Sequence, residues 1–544
     1  MTDPRALLVA ALLLPLALLA ACLSPRLRQR VPPLLPVAPI PALLAALFAV
    51  GAPPLVLPAS LLGITLWLDL PGALLLGTAA LLWSAGGVHA AAFVRGRPDS
   101  TRFCVWWLLT LLGSLGIFAA ADLASFYLFF AMVSLAAVGL VVHDEAPDAR
   151  RAGAVTVGLA LFGEAALLLG FVLLASATPG GSLSIRDAVS ALPDSASREA
   201  TLALLLTGFG IKIGLVPLHV WMPLAYSAAP LPAAAVMSGA AVKAGVIGLI
   251  RFLPLASAEP GFGDALAILG LASAFFGVAV GITQQDPRTV LAYSSVSQMG
   301  LLAAVFGRGM TAADTGAALA AAFYAAHHVL VKGGLFLALG VLTRERARRA
   351  WPVLLPCAVV ALGLGGLPLT GGAPAKWAVK GPLGDGTVGF LAALAAAGST
   401  LLMLHFLAVL VRSAREKADD APAAFSPGPW IGIALAAVAV PWLLLPVVGL
   451  GADAELFAPK ALWDSSWPVL LGGALALGLR PLAGALPRIP PGDWMVLAEG
   501  AAPAMKRLGA AAVRIDAGLR QWPAAGLSLL ALLLGLATAL AVSS

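Results

Sequence analysis

Cysteine and charged residues are both scarce in this chain of 544 residues. The three cysteines, Cys22, Cys104 and Cys357, lie singly in or at the ends of apolar runs, and no C-x-x-C pair is present. A disulfide framework, an iron–sulfur cluster or a structural zinc site is therefore not expected. We expect no cofactor, no metal site, no redox centre and hence no catalytic residues in the chain itself.

Hydrophobic residues make up 60% of the chain and charged residues only 11%, with a mean hydropathy of +0.98. These proportions exclude a soluble globular protein and predict an all-α polytopic membrane protein. Since the first run ends in SPRLRQR, we interpret it as an uncleaved span. The predicted spans, about sixteen, are 5–24, 32–50, 71–93, 103–121, 123–142, 152–176, 200–219, 228–254, 263–283, 290–307, 316–343, 351–370, 387–411, 428–450, 466–484 and 525–543.

The net charge of +7 does not indicate a nucleic-acid partner, because the basic residues lie in short loops where they set membrane topology. Alternate loops hold most of them, which predicts a multi-pass protein of a bacterial inner membrane with its N-terminus outside. The arginine- and lysine-bearing loops contain Arg26, Arg28 and Arg30; Arg95, Arg97 and Arg102; Arg150 and Arg151; Arg288; Arg344, Arg346, Arg348 and Arg349; and Arg412, Arg415 and Lys417. Segment 492–523 suits an amphipathic helix at the membrane interface, or equally a solvated connecting helix.

Ionisable residues inside the predicted spans are the second unusual feature. Each lysine at membrane depth costs roughly 2.5–3.5 kcal/mol on insertion scales, so five of them are a large penalty without a use. Near a span end, a long side chain can reach the membrane interface. This explanation of Lys380 is as good as a role in a proton path, and it also fits Arg251. The buried set comprises Lys212, Lys243, Lys332, Lys376 and Lys380, with Glu164 in the sixth span and His327 and His328 one turn before Lys332.

Lysine rather than arginine at these positions favours proton transfer. A buried amine exchanges its proton near neutral pH, whereas a guanidinium stays charged, and histidine titrates in that range. His328 and Lys332 are four residues apart and share one helix face. Such groups, joined by water and hydroxyls, form a proton path.

Helix breakers accompany two of the lysines. Pro217 follows Lys212, and GLGGLPLTGGAPAK (363–376) ends in Lys376. A helix broken at membrane depth is tolerated only where protein or water satisfies its freed backbone groups. Paired interrupted helices also indicate inverted repeats with an ion site between them.

Four motifs carry a family resemblance. GFGIKIGLVPLHVWMPLAYSAAPLPAAAVMSGAAVKAG (208–245), DPRTVLAYSSVSQMG (286–300), HHVLVKGGLFLALG (327–340) and GLPLTGGAPAK (366–376) resemble the antiporter-like membrane subunits of respiratory complex I, Mrp-type cation/proton antiporters and membrane-bound hydrogenases. IPPGDWMVLAE (489–499) resembles the Mrp and hydrogenase branches. The resemblance covers about residues 60–415.

The resemblance implies about fourteen core helices plus additional C-terminal helices, with two inverted five-helix repeats and discontinuous helices at spans 7 and 12. We expect spans 1–3 in residues 1–100, the first repeat (spans 4–8) in 101–260 and the second (spans 9–13) in 261–415. Residues 416–544 would then hold the C-terminal helices, with the amphipathic segment 492–523 and a last span at 525–543.

The resemblance also implies roles for individual residues. Lys212 and Lys376 match the lysines of the two broken helices, Lys243 the central lysine, and His328 with Lys332 the connecting relay. The residues expected to support this proton relay are Glu164, His219, Ser294, Ser295, Tyr324, His327 and Lys380, with Ser297 and Gln298 as further ligands for water.

One departure from the family pattern concerns the fifth span. FFAMVSL (129–135) places Ala131 where the family has a glutamate, and GGAPAKWAVK lacks the acidic neighbour of the last lysine. Lys212 thereby loses a counter-charge that favours its protonated form. Either Glu164, one span later, replaces that glutamate, or the subunit is partly degenerate.

The resemblance implies a proton-translocating membrane subunit, itself non-catalytic, of a complex I-like, Mrp-like or hydrogenase-like assembly. Its partners would be other membrane subunits, the bilayer and protons, or alternatively sodium. A lysine relay favours protons, because an ammonium repels sodium and offers it no oxygen ligand. Two alternatives remain open: an energy-coupling partner of a soluble enzyme, as in inorganic-carbon uptake, and a structural paralogue that has lost transport.

Overall fold

The protein was analysed as a computed structural model. It describes residues 3–57, 63–342, 351–416, 425–451, 453–482 and 489–493, together with residues 487 and 507. Within this part of the chain, eleven helices are long and apolar enough to cross a membrane. The predicted all-α polytopic fold is confirmed, with one small addition. Strands β1 (Leu55–Leu57) and β2 (Ile64–Leu66) pair antiparallel at one end of the bundle.

The helices follow in chain order. They are α1 (Arg5–Cys22), α2 (Ile40–Phe48), α3 (Leu70–Phe93), α4 (Ser100–Ala119), α5 (Leu123–Val141), α6 (Pro147–Ala177), α7 (Ile185–Ala191), α8 (Arg198–Ile213), α9 (Trp221–Ala228), α10 (Leu231–Val236), α11 (Lys243–Phe252), α12 (Pro260–Gly281), α13 (Pro287–Ala312), α14 (Gly316–Val341), α15 (Trp351–Gly363), α16 (Gly372–Leu383), α17 (Thr387–Glu416), α18 (Pro427–Val447), α19 (Asp453–Leu456) and α20 (Pro459–Leu479). A π-helical turn, Met237–Ala241, joins α10 to α11.

The second predicted span, 32–50, is only partly α-helical. Short 3₁₀ turns occupy Arg28–Arg30 and Pro32–Leu34, and a regular helix begins only at Ile40. The physical reason is proline, which has no backbone N–H to donate and which disfavours the helical conformation of the residue before it. Five prolines fall within residues 32–41.

Both predicted helix breaks are present. Helix α8 ends at Ile213, where Gly214 adopts the left-handed conformation with φ of 73°, and α9 begins at Trp221 beyond Pro217. Helix α15 ends at Gly363 and α16 starts at Gly372. In this second break Gly366 and Leu369 have φ values of 92° and 64°. Backbone polar groups are therefore freed at both places.

Helices α13 and α14 lie at the centre of the bundle, since their most apolar stretches are wholly buried. Small residues allow α12 to pack closely on α13, as is common between helices in membranes. A Cβ added at Gly300 would lie 2.5 Å from the carbonyl oxygen of Gly270, and one at Gly307 would lie 2.5 Å from that of Gly263. Because α13 and α14 are surrounded by helices, their polar side chains face protein rather than lipid.

The order of helices in residues 101–260 resembles that in residues 261–415. Three long helices, α4 to α6 in the first stretch and α12 to α14 in the second, precede a broken helix and a further span. The inverted-repeat boundaries stay a prediction. The chain forms two compact units, 1–491 and 492–544, and all predicted relay residues lie in the first. The predicted last span, 525–543, lies outside the described residues, as do Arg344, Lys417 and the amphipathic segment 492–523 apart from residues 492, 493 and 507.

Candidate functional site

The central cluster joins α11 to α14. Lys243 is the first residue of α11, and its side chain is fully buried; Val242 alone separates it from the π-helical turn. Its Nζ lies 2.6 Å from Nδ1 of His328 on α14 and 3.4 Å from the carbonyl oxygen of Ser238. Single π-helical turns within helices are frequent at functional sites. Here the turn contains Ser238 and ends two residues before the lysine.

Two glycines explain why these helices meet so closely. A Cβ added at Gly239, in the π-helical turn, or at Gly333, on α14, would come within 2.1 Å of a methyl group of Leu82. The Gly239 Cβ would also lie 3.0 Å from the carbonyl oxygen of Val329. The absence of side chains at these positions lets the Lys243 segment pack directly on the helix that carries His328.

Lys332 extends the central cluster to α13. Its Nζ donates a hydrogen bond of 2.7 Å to the carbonyl oxygen of Leu291 and another to the hydroxyl of Ser294. It lies close enough to Lys243 and His328 to interact with both electrostatically. Ser295 adds a hydroxyl that is 3.3 Å from that of Ser238. Five of the predicted relay and support residues are thus brought together: Lys243, Ser294, Ser295, His328 and Lys332.

A second cluster surrounds Lys212 in the last turn of α8. Its Nζ donates a hydrogen bond of 2.8 Å to the hydroxyl of Ser134 on α5 and lies 5.4 Å from the centre of the Phe130 ring. Beside them is a cavity of about 40 Å³. Glu164 of α6 is buried nearby and interacts electrostatically with Lys212.

A third cluster surrounds Lys376 on α16. Its Nζ is buried, makes no hydrogen bond with the described residues and lies 5.4 Å from the centre of the Tyr324 ring. It borders a cavity of about 330 Å³. The Tyr324 hydroxyl donates to Oε1 of Gln298, whose Nε2 donates to Ser399 at 2.8 Å. His327 interacts electrostatically with Lys376.

Two predicted support residues remain: Lys380 lines the same cavity as Lys376, and His219 lies apart from the three clusters. Lys380 forms an ion pair of 2.7 Å with Asp464, and both side chains are more than one-third exposed. Its position therefore matches the interpretation of a lysine that reaches out from a span end. His219, in the first helix break, is buried with its ring packed against those of Phe276 and Tyr293.

Arg251 also lies at a span end, but it is buried in a specific arrangement. Its guanidinium lies 3.2 Å from Oδ1 of Asp69 and donates to the carbonyl oxygen of Phe118 at 2.8 Å. Asp69 in turn caps α3 by accepting from the backbone N–H of Gly72. The ion pair therefore ties α11 to the start of α3, which is a structural role.

Sequence reasoning missed three serines, one within each cluster. Ser134, Ser238 and Ser399 are all buried and each touches a predicted relay residue or its neighbour. Ser134 lies in the same FFAMVSL segment as Ala131, three residues later and hence on the same helix face. That spacing was the available signal for Ser134.

The short contact between Lys243 and His328 defines what the central cluster can do. A hydrogen bond between two nitrogens requires a lone pair on one of them, so the amine and the imidazole share one proton across this contact. A positive charge on Lys332 would disfavour full protonation of both Lys243 and His328. Such an arrangement can pass a proton between groups. In the described residues no set of three or more His, Cys, Asp or Glu side chains is placed to hold a metal ion.

These features define a class: polytopic helical membrane proteins with two broken helices and a buried row of basic side chains. Residues 120–402, more than half of the chain, match the family described as NADH:quinone oxidoreductase/Mrp antiporter, transmembrane region. The chain belongs to this family, which confirms the resemblance drawn from its motifs.

Individual relatives support the same assignment. NADH-quinone oxidoreductase subunit N of Desulforudis audaxviator is 33% identical over 372 residues, which cover 64% of this chain and 72% of the relative. An uncharacterized protein of Mycobacterium tuberculosis is 36% identical over 280 residues, or 48% of this chain and 43% of that protein. This chain thus spans less than half the length of the latter relative.

A solved structure shares the fold. The Mrp complex from Dietzia sp. matches with a TM-score of 0.73 and 22% identity, covering 99% of this chain and 63% of that one. At this identity the match establishes the fold alone. This shared fold agrees with the family assignment made from residues 120–402.

Proposed function

We propose that this chain is a proton-translocating subunit of a multisubunit membrane complex. Protons would pass along Lys212, Lys243, His328, Lys332 and Lys376. The observation that carries the proposal is the buried 2.6 Å contact between Lys243 Nζ and His328 Nδ1. An ammonium and an imidazole in contact inside an apolar bundle are costly, and such groups in membrane proteins mark ion pathways.

The central step is exchange across that contact. His328 Nε2 is buried and makes no hydrogen bond with the described residues, so a water molecule bound there would receive the proton from the ring. Lys332 holds the next position along α14, one helical turn away, with Ser294 as a hydroxyl partner. A proton on one amine discourages a proton on the other, which favours movement of a single charge through the cluster.

The path toward Lys376 would use the third cluster. His327 interacts with Lys376, and Tyr324, Gln298 and Ser399 supply a continuous row of hydrogen-bonding groups. The free Nζ of Lys376 faces a cavity of about 330 Å³, which is large enough for many water molecules. This cavity would be the exit, with the Lys380–Asp464 pair at its rim.

The path toward Lys212 requires water. A Cβ added at Gly245 would lie 3.0 Å from that of Lys212, so α8 and α11 are in contact two residues beyond Lys243. The amine of Lys212 itself is bonded to Ser134. Water between Lys212 and Lys243 would complete the row.

The proposal also includes the setting of the transport. The chain would lie in a bacterial inner membrane with its N-terminus outside, and the transported ion would be the proton rather than sodium.

Proton flux in membrane vesicles that contain the native complex tests this function. Lys332→Ala should lower the flux driven by an imposed membrane potential by about 100-fold or more, since a positioned acid–base group typically contributes that much. Arg28→Ala removes an exposed basic side chain that belongs to none of the three clusters and serves as the control. Native flux in Lys332→Ala, with a normal amount of chain in the membrane, would refute the relay.

A further inference from the structure

Helix α5 contains no carboxylate between Leu123 and Val141, and Ala131 occupies the position where the family resemblance implies a glutamate. An isolated ammonium inside a bundle is destabilised by desolvation unless an anion or several hydrogen-bond acceptors face it. The described partners of the Lys212 amine on α5 are one hydroxyl, Ser134, and one ring face, Phe130. Neither partner carries a charge. A second helix must therefore supply the counter-charge.

Helix α6 supplies a carboxylate at this point. Glu164 is 5% exposed, and its carboxylate lies close enough to Lys212 and to the Ser134 hydroxyl to interact with both electrostatically. Ser134 accepts from Lys212, so its one hydroxyl hydrogen is available to point toward the carboxylate, which can only accept. Ser134 is thus placed to link the ammonium on α8 to the carboxylate on α6.

Close helix packing brings the acid to this position. A Cβ added at Gly208, one turn before Lys212, would lie 2.8 Å from the carbonyl oxygen of Gly163, the residue next to Glu164. Helices α6 and α8 thus approach each other at the level of the acid and the amine. A larger residue at Gly208 would separate them, whereas a Cβ at Gly163 would meet its nearest neighbour at 3.4 Å, an ordinary contact.

The surroundings of Glu164 leave one of its oxygens available. Oε1 is buried and makes no hydrogen bond with the described residues. The ionisable groups that interact with this carboxylate are Lys212 of α8 and Tyr127 of α5. The adjacent cavity of about 40 Å³, lined by Ser134, Gly163 and Lys212 among others, has room for one or two water molecules.

We propose that Glu164, acting through Ser134, is the counter-charge of Lys212 and occupies the role vacated at position 131. The counter-charge has moved from α5 to α6, and a hydroxyl on α5 bridges the added distance. Glu164 is thus a positioning residue that keeps Lys212 able to hold its proton. This inference rests on the proposed proton-translocating function.

The assignment is tested by measuring proton flux in vesicles that contain the native complex. The pH is varied from about 6 to about 9, so that the profile extends to both sides of neutral pH. Glu164→Gln should lower flux near neutral pH by about tenfold or more, because an opposite charge within a few ångströms changes proton occupancy by at least that factor. The alkaline limb of the flux profile should move toward lower pH. Glu199→Gln, an exposed acid on α8, should leave both unchanged.

The decisive variant restores the acid on the other helix. Ala131→Glu, introduced together with Glu164→Gln, should recover most of the lost flux and return the pH profile toward the native one. A purely structural role for Glu164 would not be rescued from α5. Failure of this rescue, or native flux in Glu164→Gln, would overturn the assignment.

Two further measurements separate the alternatives. If Glu164→Gln reduces the amount of chain in the membrane, Ser134→Ala provides the test, since it keeps the carboxylate and removes only the bridging hydroxyl. We expect a similar shift of the profile, and an unshifted profile would contradict the bridge. Lys243→Ala tests the relay itself. If Lys243→Ala loses proton flux while Glu164→Gln keeps native flux, the counter-charge role of Glu164 is refuted but the proposed function is not.

Discussion

Replacement of His328 by glutamine removes the titratable partner of Lys243 while keeping a side chain of similar size that can still form hydrogen bonds. In the native protein the two groups are 2.6 Å apart and both are fully buried. The remaining described contact of the Lys243 amine is the Ser238 carbonyl oxygen at 3.4 Å. That distance exceeds the usual N–H···O range, and a carbonyl cannot take up a proton and pass it on.

The expected magnitude follows from the loss of one acid–base group. A positioned group of this kind contributes about 10²- to 10⁴-fold to a proton-transfer step, which corresponds to about 3–5 kcal/mol of barrier. We therefore expect His328→Gln to lower proton flux by at least about 100-fold. The amount of chain in the membrane should stay normal, because the cavity left by the substitution is small.

The assay is potential-driven proton uptake into membrane vesicles, followed with a pH-sensitive dye. His405→Gln is the matched control, because His405 is a half-buried histidine at the bundle's edge that contacts the carbonyl oxygen of Gln284. It should conduct like the native chain. Native flux in His328→Gln would refute the reasoning, since it would show that protons bypass the Lys243–His328 contact.

Two further predictions concern stability. Asp69→Ala leaves Arg251 buried without its anion and removes a helix cap, so it should destabilise the protein by about 3 kcal/mol and lower the midpoint of thermal unfolding in detergent; an unchanged midpoint would show that the ion pair contributes nothing. Burial lowers the pKa of the His143 imidazole in the loop after α5, although Asp99 and Asp144 raise it in part. Because the unfolded chain then binds more protons, stability should fall as the pH drops below the ordinary histidine value of about 6.5. His143→Gln should reduce this fall between neutral and acidic pH, and an identical fall in the variant would rule the effect out.

Much of the fold was predictable from local patterns. Apolar length identified most spans, because a membrane crossing needs about twenty residues. Pro217 and the glycine-rich segment before Lys376 marked both breaks, since each removes or disfavours helical backbone locally. The irregular turns before Ile40 were not anticipated, although five prolines caused them, because apolar length alone was used for that run.

The site was predictable as a set of residues but not as a set of contacts. Sequence spacing relates only neighbours on one helix, such as His328 and Lys332. The bonds of Lys243 to His328 and of Lys212 to Ser134 span 85 and 78 residues. They depend on glycines such as Gly239 and Gly208, whose role is visible only once the helices are packed. For the same reason the bridging serines could not be distinguished from other small residues in apolar helices.

The central claim is that three basic clusters form one hydrated row, so the most direct test is to locate water. A cryo-EM map of the assembled complex at a resolution that shows ordered water should contain molecules between Lys212 and Lys243 and between Lys332 and Lys376. It should also show water at His328 Nε2 and in the cavity beside Lys376. A map in which packed apolar side chains fill those two gaps would contradict the account.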